Sequence, residues 1–146
     1  MISNIEAAIV ERLAEQCGDL VDRVYTAAEA SQVDEQLQLC PNLTVVYNGY
    51  TTAGDIAGGV VQGVAFEFLV IIAIRNAQGT NRSTGAREDA SPILDAVIEA
   101  LLNWRPVDGG SILRLQDAPG ATFSDAGFAY YPLALKVTRT YRAGGV

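Results

Sequence analysis

The amino-acid sequence predicts an α+β domain in which a largely antiparallel or mixed sheet of 4–5 strands packs against two main helices. Three observations point there. Apolar residues recur at helical spacing near the N-terminus and again around residues 93–102. Between and after those segments they alternate with period two. The strand-like segments cluster around the helices in twos and threes instead of alternating with them one by one, as a parallel α/β sheet would require.

Ser3 followed by Glu6 spells a capping box, and Ile5, Ala8, Ile9 and Leu13 form an apolar stripe, so a first helix is expected over about 4–17, stopping at Gly18. Residues 20–27 (LVDRVYTA) can form a first strand. The segment 28–39 (AEASQVDEQLQL) fits either a short helix or a loop. A second strand, LTVVYNGY, follows Pro41, and the glycine-rich residues 51–59 read as a mobile hairpin loop. The third strand runs from near Val60 to Arg75. In it Val64, Phe66, Phe68, Val70, Ile72 and Ile74 are all large and apolar, while the odd positions run Ala65, Glu67, Leu69, Ile71, Ala73, Arg75. One face is thus fully buried and the other is buried in its middle, which suits the centre of a covered sheet or a sheet that neighbouring subunits help to cover.

Residues 77–85 form a second polar loop. A wide stripe of Ile93, Leu94, Val97, Ile98, Leu101 and Leu102 then marks the second helix, which ends before Arg105 and Pro106. It starts either at Pro92 with Ser91 as cap, or earlier, near Ala86, with Pro92 as a kink. Strand four is SILRLQD, residues 111–117, and residues 119–127 form a loop. The last strand is FAYYPLALKVTRTYR, with Leu133, Leu135 and Val137 on one side and Lys136, Thr138 and Thr140 on the other. Pro132 cannot donate to a ladder, which predicts an edge or bulged strand.

A chain of 146 residues suits a single domain able to bury roughly two thirds of its unfolded surface. Its hydrophobic fraction of 49% and charged fraction of 18% are globular values. The net charge of −7 is uneven: acids outnumber bases heavily in residues 1–67, while the rest is close to neutral. A negative surface does not grip phosphate backbones, but it suits one that DNA must slide past. Between Glu67 and Arg75 only seven uncharged residues intervene, against roughly 20 for a membrane helix, so no membrane partner is expected. The N-terminus MISNIEAA has no basic region followed by an apolar run, so the protein is expected to remain in the cytoplasm where it is made. Cys17 and Cys40 read as reduced thiols or, alternatively, a disulfide.

Candidate chemistry is sparse. The sequence has no histidine, the usual acid and base at neutral pH, and no CxxC spacing for a metal. The glycines of GDIAGG lack the Gly-Lys-Ser/Thr of a phosphate-binding loop. Asp95 and Glu99 sit one helical turn apart as a solvated polar face, and Glu88 and Asp89 suit the start of a helix. No catalytic, cofactor or metal residue is expected. Glu67, inside an apolar strand, needs a partner, either a cross-strand base such as Arg114 or Arg139 or a neighbouring subunit. Nine of the ten bases are arginine, the residue favoured for planar contacts with carboxylates at interfaces.

The helix MISNIEAAIVERLAE, the strands NLTVVYNGY and VAFEFLVIIAIRN, the helix ILDAVIEALLNW and the strand LALKVTRTYR together give the chain an order and texture that resemble the phage tail terminators. The likeness is greatest to the small protein that Mu-like contractile-tailed phages encode ahead of the tail sheath, and it covers nearly the whole chain. The resemblance implies a virion protein with no enzymatic activity. It implies a ring, usually a hexamer, at the head-proximal end of the tail, where it stops tube polymerisation and receives the neck. Its partners would be copies of itself, tube and sheath proteins and a neck or connector protein, with DNA passing an acidic lumen without specific binding. Another neck, connector or tail-completion protein is the second reading. On either reading the partner-binding residues are expected among Thr52, Asp55, Glu67, Arg75, Asn81, Arg82, Arg87, Arg139 and Arg142, with the two loops 51–59 and 77–85 as docking elements.

Overall fold

A computed structural model describes residues 2–75 and 82–145, with side-chain surroundings for residues 2–75 and 87–144. The order is α1 (Ile2–Cys17), β1 (Arg23–Thr26), a single helical turn α2 (Ala27–Ala30), β2 (Asn42–Ile56), β3 (Val61–Arg75), α3 (Arg82–Leu101), β4 (Arg114–Gln116), β5 (Thr122–Phe123) and β6 (Phe128–Arg142). Among the described residues these strands form one six-stranded mixed sheet, ordered β1-β2-β3-β6-β4, with β5 also against β6. Only the β1–β2 pair is parallel.

The even face of β3 makes the core. Phe68, Val70 and Ile72 are fully buried, and they share that face with Leu43 and Val45 of β2 and Leu133, Leu135 and Val137 of β6. Two helices cover it. α1 contributes Ile5, Ile9, Leu13 and Cys17, one residue per turn, and α3 contributes Ala90, Ile93, Val97, Ala100 and Leu101. Arg12 ties the helices together: its Nε donates to the Ala100 carbonyl at 3.0 Å, and its guanidinium lies 5.2 Å from the Trp104 ring centroid.

Several expectations are corrected. α1 begins at Ile2, which puts Ser3 inside the helix, so Ser3 is not its cap. Gly18 does follow the helix, and the reason is space: a Cβ there would sit 2.5 Å from the Ala14 carbonyl oxygen. α3 begins at Arg82 and runs through Pro92. Glu88, Ser91 and Pro92 are all exposed, so the carbonyl that Pro92 cannot bond faces water, where the loss is tolerated. The segment 51–59 is mostly strand, for β2 continues to Ile56 and only residues 57–60 turn, with Ala57, Gly58 and Gly59 all at positive φ. β6 is neither an edge nor bulged against β3, which it pairs continuously from Val61–Arg142 to Arg75–Phe128. Pro132 is accommodated because, on the other side of β6, β5 stops at Tyr130 and β4 begins at Ala134. Residues 119–127 contain the short strand β5 as well as loop.

Phe68→Ala is expected to cost about 3–5 kcal/mol in urea unfolding, the range for emptying a buried aromatic site. Thr52→Ala, at an exposed position, is expected to stay within about 0.5 kcal/mol.

Candidate functional site: the open sheet face and the three-stranded arm

Neither of the two long helices, α1 and α3, lies over the odd face of the sheet. Along its middle lie Val46 of β2, Leu69 and Ile71 of β3, and Pro132 and Ala134 of β6, all half-buried. Glu67 belongs to this face, directly opposite Lys136, with Arg114 beyond Lys136 on β4. The expectation for Glu67 is a cross-strand base such as Arg114 or Arg139, or a neighbouring subunit. The register instead sets Lys136 across from it, while Arg139 pairs with Val64 and lies on the opposite face.

At the end of this face near Arg75 the segment 27–40 straps across the strands. Thr26 and Glu29 start it with a reciprocal capping box at 3.2 Å in both directions. A 3-10 turn at Glu35–Leu37 then brings Glu35 and Gln38 onto Tyr130. The Tyr130 hydroxyl donates to the Glu35 carboxylate and accepts from Gln38 Nε2 at 3.0 Å. Asn42 Nδ2, buried at the start of β2, donates to Gln38 Oε1 at 2.9 Å and to the Leu39 carbonyl at 2.8 Å. Arg75 reaches the Gln36 carbonyl at 3.3 Å and lies 4.7 Å from the Phe128 ring centroid, so it holds the strap from the side. Burial, the hydrogen bond to Glu35 and that carboxylate's charge push the Tyr130 phenol up to about 12. Between strap and sheet is a cleft of about 260 Å³ lined by Tyr25, Val33, Thr44, Ile71 and Tyr130 among others.

The other end of the sheet is an arm. β2 from Tyr50 to Ile56, β3 from Val61 to Ala65 and β6 from Thr138 to Arg142 pair beyond the helices, and every residue from Tyr50 to Val60 is exposed. Four expected site residues meet here: Thr52, Asp55, Arg139 and Arg142. Arg139 stacks 5.1 Å from the Tyr141 ring centroid, and Tyr141 meets Phe66 edge-on. Arg75 and Arg87 are at the far end, the latter near enough to Tyr131 to oppose the rise that burial gives its phenol. Arg82 opens α3, and Asn81 and most of the 77–85 loop lie outside the described residues. Sequence reasoning missed the strap, although Thr26 and Glu29 carry the spacing of a capping box. It also missed Tyr50, Ile56 and Val60, exposed apolar residues of the arm.

Burial raises the thiols of Cys17 and Cys40 above their ordinary range, and both are free, so the disulfide alternative falls away. Among the described residues no group of three or more cysteines and carboxylates is placed to hold a metal ion, and no helix is long and apolar enough to cross a membrane.

With this architecture in view, the chain matches the phage tail terminator protein family over residues 5–143. It belongs to that family. A tail terminator is a structural protein of the virion, associated with the phage tail, and that is this chain's class and location. No curated protein matches the sequence. Among solved structures the fold is similar to a chain of the "Virion of native gene transfer agent (GTA) particle", at TM-score 0.57 and 18% identity, covering 93% of this chain and 94% of that one.

Tyr130→Phe is expected to cost about 1–2 kcal/mol at neutral pH, since it leaves Glu35 and Gln38 without the hydroxyl. The phenol's raised value stabilises the fold fully below its unfolded value of about 10, and that contribution is lost as pH rises through about 12. Scanning calorimetry across that window should show a steeper fall in Tm for wild type than for Tyr130→Phe; parallel curves would remove the strap's pH dependence.

Proposed function

We propose that the protein acts as the terminator of the tail in the mechanical sense. It forms a ring, hexameric as in the family it resembles, that caps the head-proximal end of the tube and sheath, stops their polymerisation and gives the neck its docking surface. The ring consists of copies of one domain, spanning residues 1–146, and performs no catalysis. The observation that carries this reading is the uncovered surface itself. An apolar strip of Val46, Leu69, Ile71, Pro132 and Ala134 runs into an arm whose Tyr50, Ile56 and Val60 are exposed, within a family of tail proteins. A heterologous contact that closes on itself makes a ring, and one that does not close makes a filament.

The arm supplies the test. Deleting Ala53 to Gly58 leaves Thr52 opposite Val64 with a short connection, and none of the deleted residues belongs to the core. The expected outcome is a folded protein with unchanged Tm and, in phage complementation, separate filled heads and tails. Wild-type particle yields would exclude the arm tip as a docking element and move the contact to the strip around Leu69.

The acid excess makes the ring inert toward the DNA that traverses it. Glu11, Glu15, Asp19 and Asp22 are all exposed on and after α1. Fluorescence anisotropy with duplex DNA should show only weak, non-specific binding at physiological salt. Tight binding there would overturn the acidic lumen.

A further inference from the structure

The arm has two open edges that differ in character. β1 pairs with β2 only as far as Val45, so the outer edge of β2 from Val46 to Ile56 has no partner strand among the described residues. Natural edge strands are usually protected by lysine, proline or brevity. This one has no lysine or proline, and only the register shifts between Tyr47 and Tyr50 and between Thr52 and Asp55 interrupt it. It is long, rich in Tyr and Thr, and carries a single charge, Asp55. On the opposite side, β4 covers β6 up to Lys136 and Gly110 bridges to Arg139, which leaves Thr140 to Arg142 uncovered.

The register fixes how the two edges relate. Asp55 is level with Gln62, which is level with Tyr141; Thr52 is level with Val64, which is level with Arg139. Tyr50, Thr52, Asp55, Arg139 and Tyr141 therefore share the helix-side face at the same stretch of the arm, acid on one edge and arginine on the other. Among the described residues Asp55 has no charged partner in its own chain, and the one contact of the Arg139 guanidinium is the Tyr141 ring. β2 and β6 both run antiparallel to β3, so they run parallel to each other.

We infer that the outer edge of β2 in one copy receives the C-terminal edge of β6 from a second copy, strand beside parallel strand. In this contact the open residues Thr140 to Arg142 of one copy lie along Ala53 to Ile56 of the other, Tyr141 opposite Asp55 with Arg139 one diagonal step away on the same face, and the two arms join in one continuous sheet. Main-chain hydrogen bonds give such a contact its strength, and the alternating side chains give it its register. Asp55 and Arg139 are two positions apart in level, a diagonal that a long side chain spans. The inference rests on the ring reading above and says which surfaces close the ring.

The test is cross-linking between single-cysteine variants, in a Cys17→Ala, Cys40→Ala background, on purified protein and on isolated tails. Ile56→Cys mixed with Arg142→Cys, residues of one level and one face, should give a covalent dimer with a short bismaleimide, and neither variant alone should. Asp55→Arg should abolish that product, and combining it with Arg139→Asp should restore it. An assembled ring that yields no mixed cross-link would overturn this edge pairing while leaving the ring intact. A product from Ile56→Cys alone would overturn it in favour of a two-fold contact. Protein that is monomeric both free and on tails would overturn the pairing and the ring together.

Discussion

Burial of the even face of β3 beneath α1 and α3 is the contact on which the rest of the structure depends, because that strand is longer than the helices that cover it. Fifteen extended residues span about 50 Å, whereas the 16 residues of α1 span about 24 Å and the 20 of α3 about 30 Å. Over the helices the face is sealed, from Phe66 to Ile74. Beyond them β2, β3 and β6 pair only with one another, and the excess length becomes the arm. The arm is thus the geometric remainder of the core.

The opposite face is completed in a different way. A sheet with one helical layer leaves its second face to water, to a loop or to another molecule. Here a polar strap covers one end, held by hydrogen bonds among Glu35, Gln38, Asn42 and Tyr130 in place of apolar packing. Asn42 is the one polar side chain buried among the described residues, and its amide satisfies the strap's turn, which is why burial is tolerated. The strap ends before the Val46–Leu69–Ala134 strip, so the middle of the face stays apolar and open.

Among the described residues no group of three or more cysteines and carboxylates is gathered at one place. The raised groups are two phenols and two thiols, and in each of them burial is the leading cause. The sheet instead offers what assembly needs: an exposed strand edge, an apolar strip and charges of opposite sign on its two sides.

The sequence by itself determined the α+β class, the two helices and the central place of β3, because periodicity reports which faces are buried and no other residue set competed for them. Ile5, Ile9 and Leu13 at one-turn spacing and the alternation from Val64 to Ile74 each admit one reading. Family membership was legible as well, since order and texture extend over the whole chain. Only tertiary structure decided the rest. The stretch 51–59 reads as loop from its glycines, yet pairing with β3 makes Thr51 to Ile56 strand. Pro132 reads as an edge marker, yet the gap between β5 and β4 lets β6 lie inside the sheet. Glu35 and Tyr130 meet across 95 positions, and Asp55 and Tyr141 share a level only through β3. Such juxtapositions depend on register and on gaps between neighbouring strands, quantities that local pattern does not encode.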